Sequence, residues 1–233
     1  MADWKSVWSR RQAAGAGSPL QALIDLDGFD SGAGRIREAA WRAYVTEIAG
    51  RLGMHAGDSV LEIGCGSGAF LFPLREAGLR VAGLDYSPTL VAAARAAMPD
   101  GDFREAEAGE FAAAPRSVDF VVANSVFHYF PDDAYADRVL AAMLGTADRA
   151  VAVLELPELD CRDDAEAARR GLLSDREYEA KYAGLAHRYF RRESFSSAAR
   201  RHGFDAEMFG QSIDGYAQNA FRFNCLLRRI SPA

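Results

Sequence analysis

Four short apolar runs recur along the chain, and each is separated from the next by enough residues for a helix. They span residues 59–63, 80–84, 118–123 and 150–154. Continuously apolar segments of this length are typical of strands that are buried on both faces of a parallel sheet. Their alternation with helix-length segments predicts an α/β fold with a doubly wound, mostly parallel sheet. A weaker strand is predicted over residues 102–107, between the second and third of these runs.

The segments on either side of these runs have other periodicities. Residues 38–52 carry apolar side chains at helical spacing and stop before a glycine, which predicts an amphipathic helix. Towards the end of the chain, a helix is predicted over 194–202 and two strands over 204–210 and 221–229. We expect these last two strands to form an antiparallel hairpin that closes one edge of the sheet.

The first 40 residues combine aromatic side chains with glycine-rich stretches. Trp4, Trp8 and Phe29 lie among these glycines, and Phe29 is a candidate for contact with a substrate. Closure of such a segment over a pocket would exclude water from a reaction. We therefore predict a helical arm or flap over residues 1–40 and a main domain over residues 41–233. A fixed, packed arm is the alternative.

A glycine-rich turn follows the first predicted strand. In VLEIGCGSG, residues 60–68, the glycines at alternate positions are Gly64, Gly66 and Gly68. Because open parallel sheets bind ligands beyond the carboxyl ends of their strands, this turn marks the predicted pocket. The spacing departs from the Gly-x-Gly-x-x-Gly fingerprint of dinucleotide sites, fully when counted from Gly66, where Leu71 takes the last position, and tolerably when counted from Gly64, where Ala69 does.

A second acidic residue ends the next predicted strand. Asp85 lies about 20 positions after the glycine turn, where a carboxylate accepts hydrogen bonds from the hydroxyl groups of a ribose. This position suits any cofactor that contains adenosine. Asp85 alone therefore does not distinguish a nicotinamide dinucleotide from other adenosine cofactors.

Taken in order, these motifs resemble those of the class I S-adenosylmethionine-dependent methyltransferases, from about Trp41 to the end of the chain. VLEIGCGSG is similar to the first motif of that family, and GLDYSP to the second. FREAEAGEF is similar to the third-strand segment, VDFVVANSVFHYF to the fourth-strand motif and RAVAVLELPE to the fifth strand. The resemblance implies a Rossmann-like methyltransferase fold with a seven-stranded sheet. It also implies S-adenosylmethionine as the cofactor, with S-adenosylhomocysteine as its product.

The resemblance assigns roles to individual residues. Asp85 is expected on the ribose, Tyr86 against the adenine and Glu107 near the adenine amino group, with Glu105 as the alternative if the register is shifted by two residues. The implied cofactor-binding set is Glu62, Gly64, Gly66, Gly68, Asp85, Tyr86, Glu107, Ala108 and Asn124. The first motif would surround the methionine part of the cofactor, which carries an ammonium group but no phosphate.

Two histidines are candidates for a catalytic base. Methyl transfer from a sulfonium needs no covalent nucleophile, so the protein aligns the reactants and removes a proton. His128 follows the fourth predicted strand, and His187 lies in a segment where related enzymes build the acceptor wall. A neutral histidine can accept a proton, although a packing role is the alternative for both. The predicted substrate contacts are Phe29, Tyr129, Tyr182 and Tyr189.

Composition argues against several other classes of protein. The formal net charge of -6 gives no basic surplus for a nucleic acid. The three cysteines have no paired spacing, and the fourth-strand loop lacks the clustered oxygen ligands that magnesium requires. No apolar stretch approaches the roughly 18 residues of a membrane span. We predict a cytoplasmic protein with no metal, membrane or nucleic-acid partner, and the oligomeric state is left open.

The sequence favours methyl transfer to an oxygen or nitrogen of a small-molecule acceptor. By analogy, a compact enzyme of this kind suits bacterial specialised-metabolite biosynthesis. One alternative is a protein of the same fold that binds S-adenosylmethionine and catalyses a non-methylating reaction such as cyclisation. A catalytically silent binding module and a nicotinamide-dependent oxidoreductase are further alternatives.

Overall fold

A computed structural model of the chain describes residues 4–8, 17–29, 35–113, 116–171, 174, 176–178, 185 and 187–230. The strands are β1 (Ser59–Ile63), β2 (Arg80–Asp85), β3 (Asp102–Glu105), β4 (Val118–Asn124), β5 (Ala147–Pro157), β6 (Phe204–Gly210) and β7 (Arg222–Arg229). Helices α1 to α4 span Trp4–Trp8, Pro19–Leu26, Glu38–Leu52 and Leu71–Glu76. Helices α5 to α8 span Pro88–Ala97, Asp133–Thr146, Arg162–Arg170 and Arg192–Arg201.

The strands form one seven-stranded sheet in the order β3-β2-β1-β4-β5-β7-β6. Strands β1 to β5 pair in parallel, whereas β7 is antiparallel to both β5 and β6. The predicted fold class, including the antiparallel hairpin at one edge, is therefore confirmed. Chain order reverses between β1 and β4, which places a crevice at the carboxyl ends of these two strands.

Two of the predicted strands differ from those observed by two residues or more. Strand β3 ends at Glu105 rather than at residue 107, because Glu107 is the N-cap of a short 3-10 helix, Ala108–Glu110. Strand β5 continues to Pro157, beyond the apolar run that predicted it. Its pairing with β7 is interrupted between Val153 and Leu156. The interrupted stretch contains Glu155, a charged residue that the apolar pattern of the strand does not indicate.

Apolar side chains cover both faces of the sheet. One cluster packs Trp41, Ile48 and Phe120 with Leu23 and Ile24 of α2. A second cluster on the opposite side contains residues of α6, α8 and β7. Burial of one large apolar side chain stabilises a fold by about 1.5–3 kcal/mol, so both clusters contribute strongly. Because α2 belongs to the first cluster, this part of the N-terminal segment is fixed against the core.

Candidate active site

A cavity of about 770 Å³ opens at the carboxyl ends of the parallel strands. Volumes of this size suit a cofactor together with a small molecule. The predicted site residues that line it are Phe29, Glu62, Gly64, Gly66, Asp85, Tyr86, Glu107, Ala108, Asn124, Tyr129, His187 and Tyr189. Gly68 and His128 lie behind the wall, and Tyr182 lies outside the described residues. Residues far apart in the sequence are thus brought to one crevice.

The glycine turn after β1 requires glycine for two reasons. Gly64 and Gly66 have φ angles of 70° and 52°, in the left-handed region that side chains rarely adopt. A Cβ atom on Gly66 would lie 2.5 Å from Oδ1 of Asp27. Gly68 has a different neighbour, since a Cβ there would lie 2.5 Å from Cε of Met98 in the core. Gly64 and Gly66 therefore shape the cavity, whereas Gly68 allows close packing beneath the turn.

Asp85 is fixed at the end of β2 by two backbone donors. Its Oδ2 accepts a hydrogen bond from the Gly66 N–H at 3.0 Å, and its Oδ1 accepts one from the Ser87 N–H at 2.8 Å. Burial raises the pKa of Asp85, while these two hydrogen bonds lower it. Each carboxylate oxygen keeps capacity for another donor. Asp85 can therefore accept hydrogen bonds from ligand hydroxyl groups.

Two further carboxylates flank the glycine turn. Burial raises the pKa of Glu62 well above its usual value, and Asp27 and Asp85 raise it further. Oε2 of Glu62 is buried and has no hydrogen-bond partner among the described residues. Burial also raises the pKa of Asp27 to about 7, although a hydrogen bond from the Ser67 N–H, 2.7 Å long, lowers it. This concentration of acid groups favours a positively charged ligand.

Asp27 is a site residue that the sequence analysis missed. It follows α2, which lies about 40 positions before Ser67 along the chain but packs against the glycine turn. The available signal was a pair of aspartates, at 25 and 27, inside the apolar stretch QALIDLDGF. An acidic residue at the end of a buried segment needs a partner or a ligand, which singles out Asp27.

The wall next to β2 and β3 contains the predicted adenine contacts. The Tyr86 hydroxyl donates a hydrogen bond to the Trp4 carbonyl oxygen at 3.3 Å. Glu107 precedes the 3-10 helix whose first residue, Ala108, is buried. Asn124 ends β4, and its Oδ1 accepts a hydrogen bond from the Tyr44 hydroxyl at 3.0 Å. Tyr86, Glu107, Ala108 and Asn124 all line the cavity.

Aromatic rings form the wall on the other side of β4. The Trp4 ring stacks on His187 with centroids 4.7 Å apart and an interplanar angle of 9°. Tyr129 contacts both of these rings and also Trp8. The tryptophans belong to α1, so the N-terminal segment supplies part of the cavity wall. Through its carbonyl oxygen and its ring, Trp4 connects Tyr86 on one side of the cavity with His187 on the other.

The two candidate bases occupy different positions. The rings of His128 and His187 are 5.1 Å apart, and only His187 lines the cavity. Burial lowers the pKa of both histidines well below the usual value, and the positive charge of Arg222 lowers it further. Both imidazoles are therefore neutral at pH 7, the form that accepts a proton. His128 is 2% exposed, so it reaches ligands only through its neighbours.

A buried charged network lies beneath this wall. Oε1 of Glu155 is 3.1 Å from Nε of Arg222 and also accepts a hydrogen bond from the Tyr216 hydroxyl. Oε2 of Glu155 accepts a hydrogen bond from Oγ of Ser125 at 2.9 Å, and it lies 4.0 Å from Nδ1 of His128. Sequence analysis missed this network, although a charged residue in each of two apolar strands was a signal. Ser125 lines the cavity, which connects the network to the site.

Neither a metal-binding cluster nor a membrane-spanning helix is found in the described part of the chain. It contains no group of three or more His, Cys, Asp or Glu side chains placed to bind a metal ion. Within the same ranges, no helix has the length and apolar character needed to cross a membrane.

A family profile described as a methyltransferase domain matches residues 33–207, most of the chain. The chain belongs to this family. The resemblance of its motifs to those of the class I methyltransferases is therefore confirmed. The family match includes the glycine turn, all five parallel strands and both candidate bases, His128 and His187.

Solved methyltransferase structures share the fold of this family member. Magnesium protoporphyrin IX methyltransferase from Synechocystis PCC 6803, with bound SAM, is 17% identical with a TM-score of 0.59, over 93% of this chain and 100% of that chain. Phosphoethanolamine N-methyltransferase 2 from Haemonchus contortus, in complex with phosphomonomethylethanolamine and S-adenosylhomocysteine, is 18% identical with a TM-score of 0.58. That match covers 81% of this chain and 53% of the other.

A relative with higher identity matches a shorter region. Trans-aconitate 2-methyltransferase from Escherichia coli O157:H7 (strain EC4115 / EHEC) is 33% identical over 88 residues. The match covers 37% of this chain and 34% of the relative, so the chain aligns with about a third of that protein.

Proposed function

We propose that this chain transfers a methyl group from S-adenosylmethionine to an oxygen or nitrogen of a small-molecule acceptor. The observation that carries the proposal is the cluster of Asp27, Glu62 and Asp85 around a glycine turn at the point where chain order reverses. S-adenosylmethionine has a positive sulfur, an ammonium and two ribose hydroxyls but no phosphate. This combination matches the charge and the acceptor groups of the cavity.

The residues present fit this cofactor. Glu62, with its unpartnered buried oxygen, and Asp27 would hold the ammonium group, while Asp85 would accept hydrogen bonds from the ribose hydroxyls. Gly64 and Gly66 would let the turn backbone approach the methionine part closely, because both residues line the cavity and have no side chain. Tyr86 and the Ala108 backbone flank the slot proposed for the adenine.

The cofactor supplies an activated methyl group when it is bound. The protein then has to align the acceptor atom with that methyl and remove a proton where the acceptor carries one. We assign proton acceptance to His187, which is neutral and lines the cavity. His128 packs behind it and orients its ring. The Trp4 ring covers His187 and excludes water from this end of the cavity.

A small molecule is the acceptor that the cavity suits best. The walls beyond β4 are aromatic and close around a limited volume, with Trp4 and Trp8 on one side. The names of the relatives also point to small acceptors, namely trans-aconitate, magnesium protoporphyrin IX and phosphoethanolamine. The acidic net charge provides no general attraction for nucleic acid. A role in bacterial specialised metabolism, in the cytoplasm, is part of the proposal.

Two measurements test the proposed function. Titration with S-adenosylhomocysteine is expected to show one binding site, whereas NAD is expected not to bind. Incubation with methyl-labelled S-adenosylmethionine and a panel of small hydroxy, amino and carboxylic compounds should yield a labelled product. NAD binding without S-adenosylhomocysteine binding would refute the assignment. Binding of the nucleoside with conversion of an acceptor to an unlabelled product would indicate a non-methylating reaction such as cyclisation.

Asp85→Asn is expected to weaken the binding of S-adenosylhomocysteine about tenfold, the effect of losing one charge-assisted hydrogen bond of about 1.4 kcal/mol. The amide keeps an oxygen acceptor for one backbone N–H, so the fold should persist. Isothermal titration calorimetry measures the dissociation constant. Asp205→Asn, at an exposed position of β6, also removes one negative charge and should leave the dissociation constant unchanged. Equal affinities of Asp85→Asn and the unmodified chain would contradict the ribose assignment.

A further inference from the structure

Charged side chains along the cavity wall are divided by sign. The wall contains four carboxylates, which lie in β1, at the end of β2, after β3 and after α2: Glu62, Asp85, Glu107 and Asp27. The described wall residues that follow β5 include two arginines, Arg162 and Arg188, and no carboxylate. In the sheet, β1 and β5 lie on opposite sides of β4. The wall is therefore acidic where the cofactor is proposed and basic on the other side.

A third arginine, Arg169, lies behind the cavity lining and is connected to this basic end through Tyr189. Nη2 of Arg169 donates a hydrogen bond to the Tyr189 hydroxyl at 2.7 Å. The guanidinium carbon of Arg162 lies 5.7 Å from the centroid of the same ring. Tyr189 and Arg188 are adjacent in the chain, and both line the cavity. Two guanidinium groups thus contact Tyr189, and Arg188, which precedes it in the chain, supplies the third arginine at this end of the cavity. The cluster of Arg162, Arg169, Arg188 and Tyr189 is called the arginine end below.

The carboxylates around the arginine end do not neutralise all three charges. Arg162 pairs with Glu166 and Arg188 pairs with Asp133. Arg169 forms no ion pair with any carboxylate of the described residues, and it donates instead to the Tyr189 hydroxyl. A guanidinium that is half-buried without a counter-charge is unfavourable unless a ligand supplies one.

Two donors at the arginine end also lack acceptors. The Nε atoms of Arg169 and Arg188 are both buried, and neither has a hydrogen-bond partner among the described residues. A buried donor without an acceptor costs free energy, so such groups usually mark a place that a ligand or water fills. The positive charge of Arg169 also lowers the pKa of both His128 and His187, after burial and Arg222 and, for His128, after His187 as well.

We propose that the methyl acceptor carries a carboxylate that binds to Arg169 and Arg188 at the arginine end, while its nucleophilic atom faces the transferring methyl beside His187. The proposal rests on the proposed methyl transfer for the identity of the cofactor, but the anion site itself depends only on the arginines. A planar carboxylate matches the fork of a guanidinium and satisfies two donors at once. The rings of Trp4, Tyr129 and Tyr189 would contact the apolar part of the acceptor.

Benzoate and benzamide test this proposal, because they have nearly the same shape and differ in charge. The protein is titrated with each compound by calorimetry, first alone and then saturated with S-adenosylhomocysteine. Benzoate is expected to bind at least about tenfold more tightly than benzamide, the size of one charge-assisted contact. Arg169→Gln should remove most of this preference. Arg169→Lys keeps the positive charge but lacks the two parallel donors of a guanidinium, so it should retain part of the preference for benzoate.

Matched controls separate the arginine end from general charge effects. Arg201→Gln removes one positive charge at the exposed end of α8 and should leave the preference for benzoate intact. Circular dichroism confirms that each variant is folded. The proposal is overturned if benzoate shows no preference over benzamide, including the case in which neither binds, or if the preference survives in the folded Arg169→Gln, Arg188→Gln double variant.

The two proposals fail in different ways. Absence of S-adenosylhomocysteine binding, together with a preference for benzoate that depends on Arg169, would refute methyl transfer and leave the anion site standing. Binding of S-adenosylhomocysteine without any preference for benzoate would refute only the carboxylate site.

Discussion

Arg222→Met is expected to lower the free energy of unfolding by about 3–5 kcal/mol, because it leaves a carboxylate without a counter-charge in the interior. Arg222 is 6% exposed and its partner Glu155 is 1% exposed. The distance between Nε of Arg222 and Oε1 of Glu155 is 3.1 Å. Methionine fills a similar volume, so the expected loss comes mainly from charge rather than from a cavity. Urea denaturation measures the change.

The double variant Glu155→Gln, Arg222→Met separates charge from packing. It removes the carboxylate together with its partner, and we expect it to recover part of the stability that the single variant loses. The Tyr216 and Ser125 hydroxyls contact different oxygens of Glu155, so in the glutamine variant one hydroxyl can donate to the amide oxygen and the other can accept from the NH2 group. Arg201→Met, at an exposed position, should change the free energy of unfolding by less than about 0.5 kcal/mol. The prediction is wrong if Arg222→Met is as stable as Arg201→Met.

The same network positions the cavity wall. Ser125 and Glu155 are non-glycine residues with φ angles of 57° and 62°, and the hydrogen bond between their side chains joins the ends of β4 and β5. Left-handed backbone of this kind persists only where surrounding contacts hold it. Ser125 follows Asn124, which also lines the cavity. Loss of the network would therefore change the shape of the proposed methyl-transfer site as well as lower the stability of the fold.

The fold could be predicted from the sequence because its strands carry local signals. Strands β1, β4 and β5 are buried on both faces, so each reads as an apolar run, and the glycine turn follows directly after β1. Asp85 marks the end of β2, because a charged residue there follows the apolar part of the strand. Residues that follow strands in a parallel sheet converge at one edge, which is why the cofactor side of the cavity could be expected from chain order alone.

The rest of the site depends on contacts between distant parts of the chain. Asp27 reaches the glycine turn across 40 positions, and Arg222 meets Glu155 across a longer gap between β5 and β7. No periodic pattern records such pairs. The distinction between His128 and His187 is likewise one of depth, since both follow strands or loops near the same edge but only His187 reaches the cavity. Sequence identifies candidates, whereas packing decides which of them face a ligand.

The affinity for S-adenosylhomocysteine is expected to rise with pH by up to about tenfold per unit between about pH 5 and about pH 7, and then to level off. Burial raises the pKa of Asp27 to about 7, so this side chain is protonated and neutral in the lower part of that range. The ammonium group of the ligand remains charged throughout it. A cation binds better to ionised Asp27 and competes with the proton, which fixes the direction of the change.

The stability of the ligand-free protein is expected to change in the opposite direction. An aspartate whose pKa is higher in the folded state than in the unfolded state holds its proton longer in the folded state. Its contribution to the free energy of unfolding is therefore present at low pH and is lost as the pH rises from about 4 to about 7. Glu62 and Asp85 also have raised pKa values and act in the same direction. The contribution of Asp27 to the pH dependence therefore has to be isolated by substitution.

Asp27→Asn isolates that part, because its amide oxygen can still accept the hydrogen bond from the Ser67 N–H. At about pH 5 the variant and the unmodified chain should bind S-adenosylhomocysteine equally, since Asp27 is neutral in both. By about pH 8 the variant should bind up to about a hundredfold more weakly, because only the unmodified chain has gained the charge. Calorimetric titration at each pH gives the two curves. Parallel curves would show that Asp27 does not contact the ammonium group, whereas curves that converge at low pH would place its charge in the cofactor site.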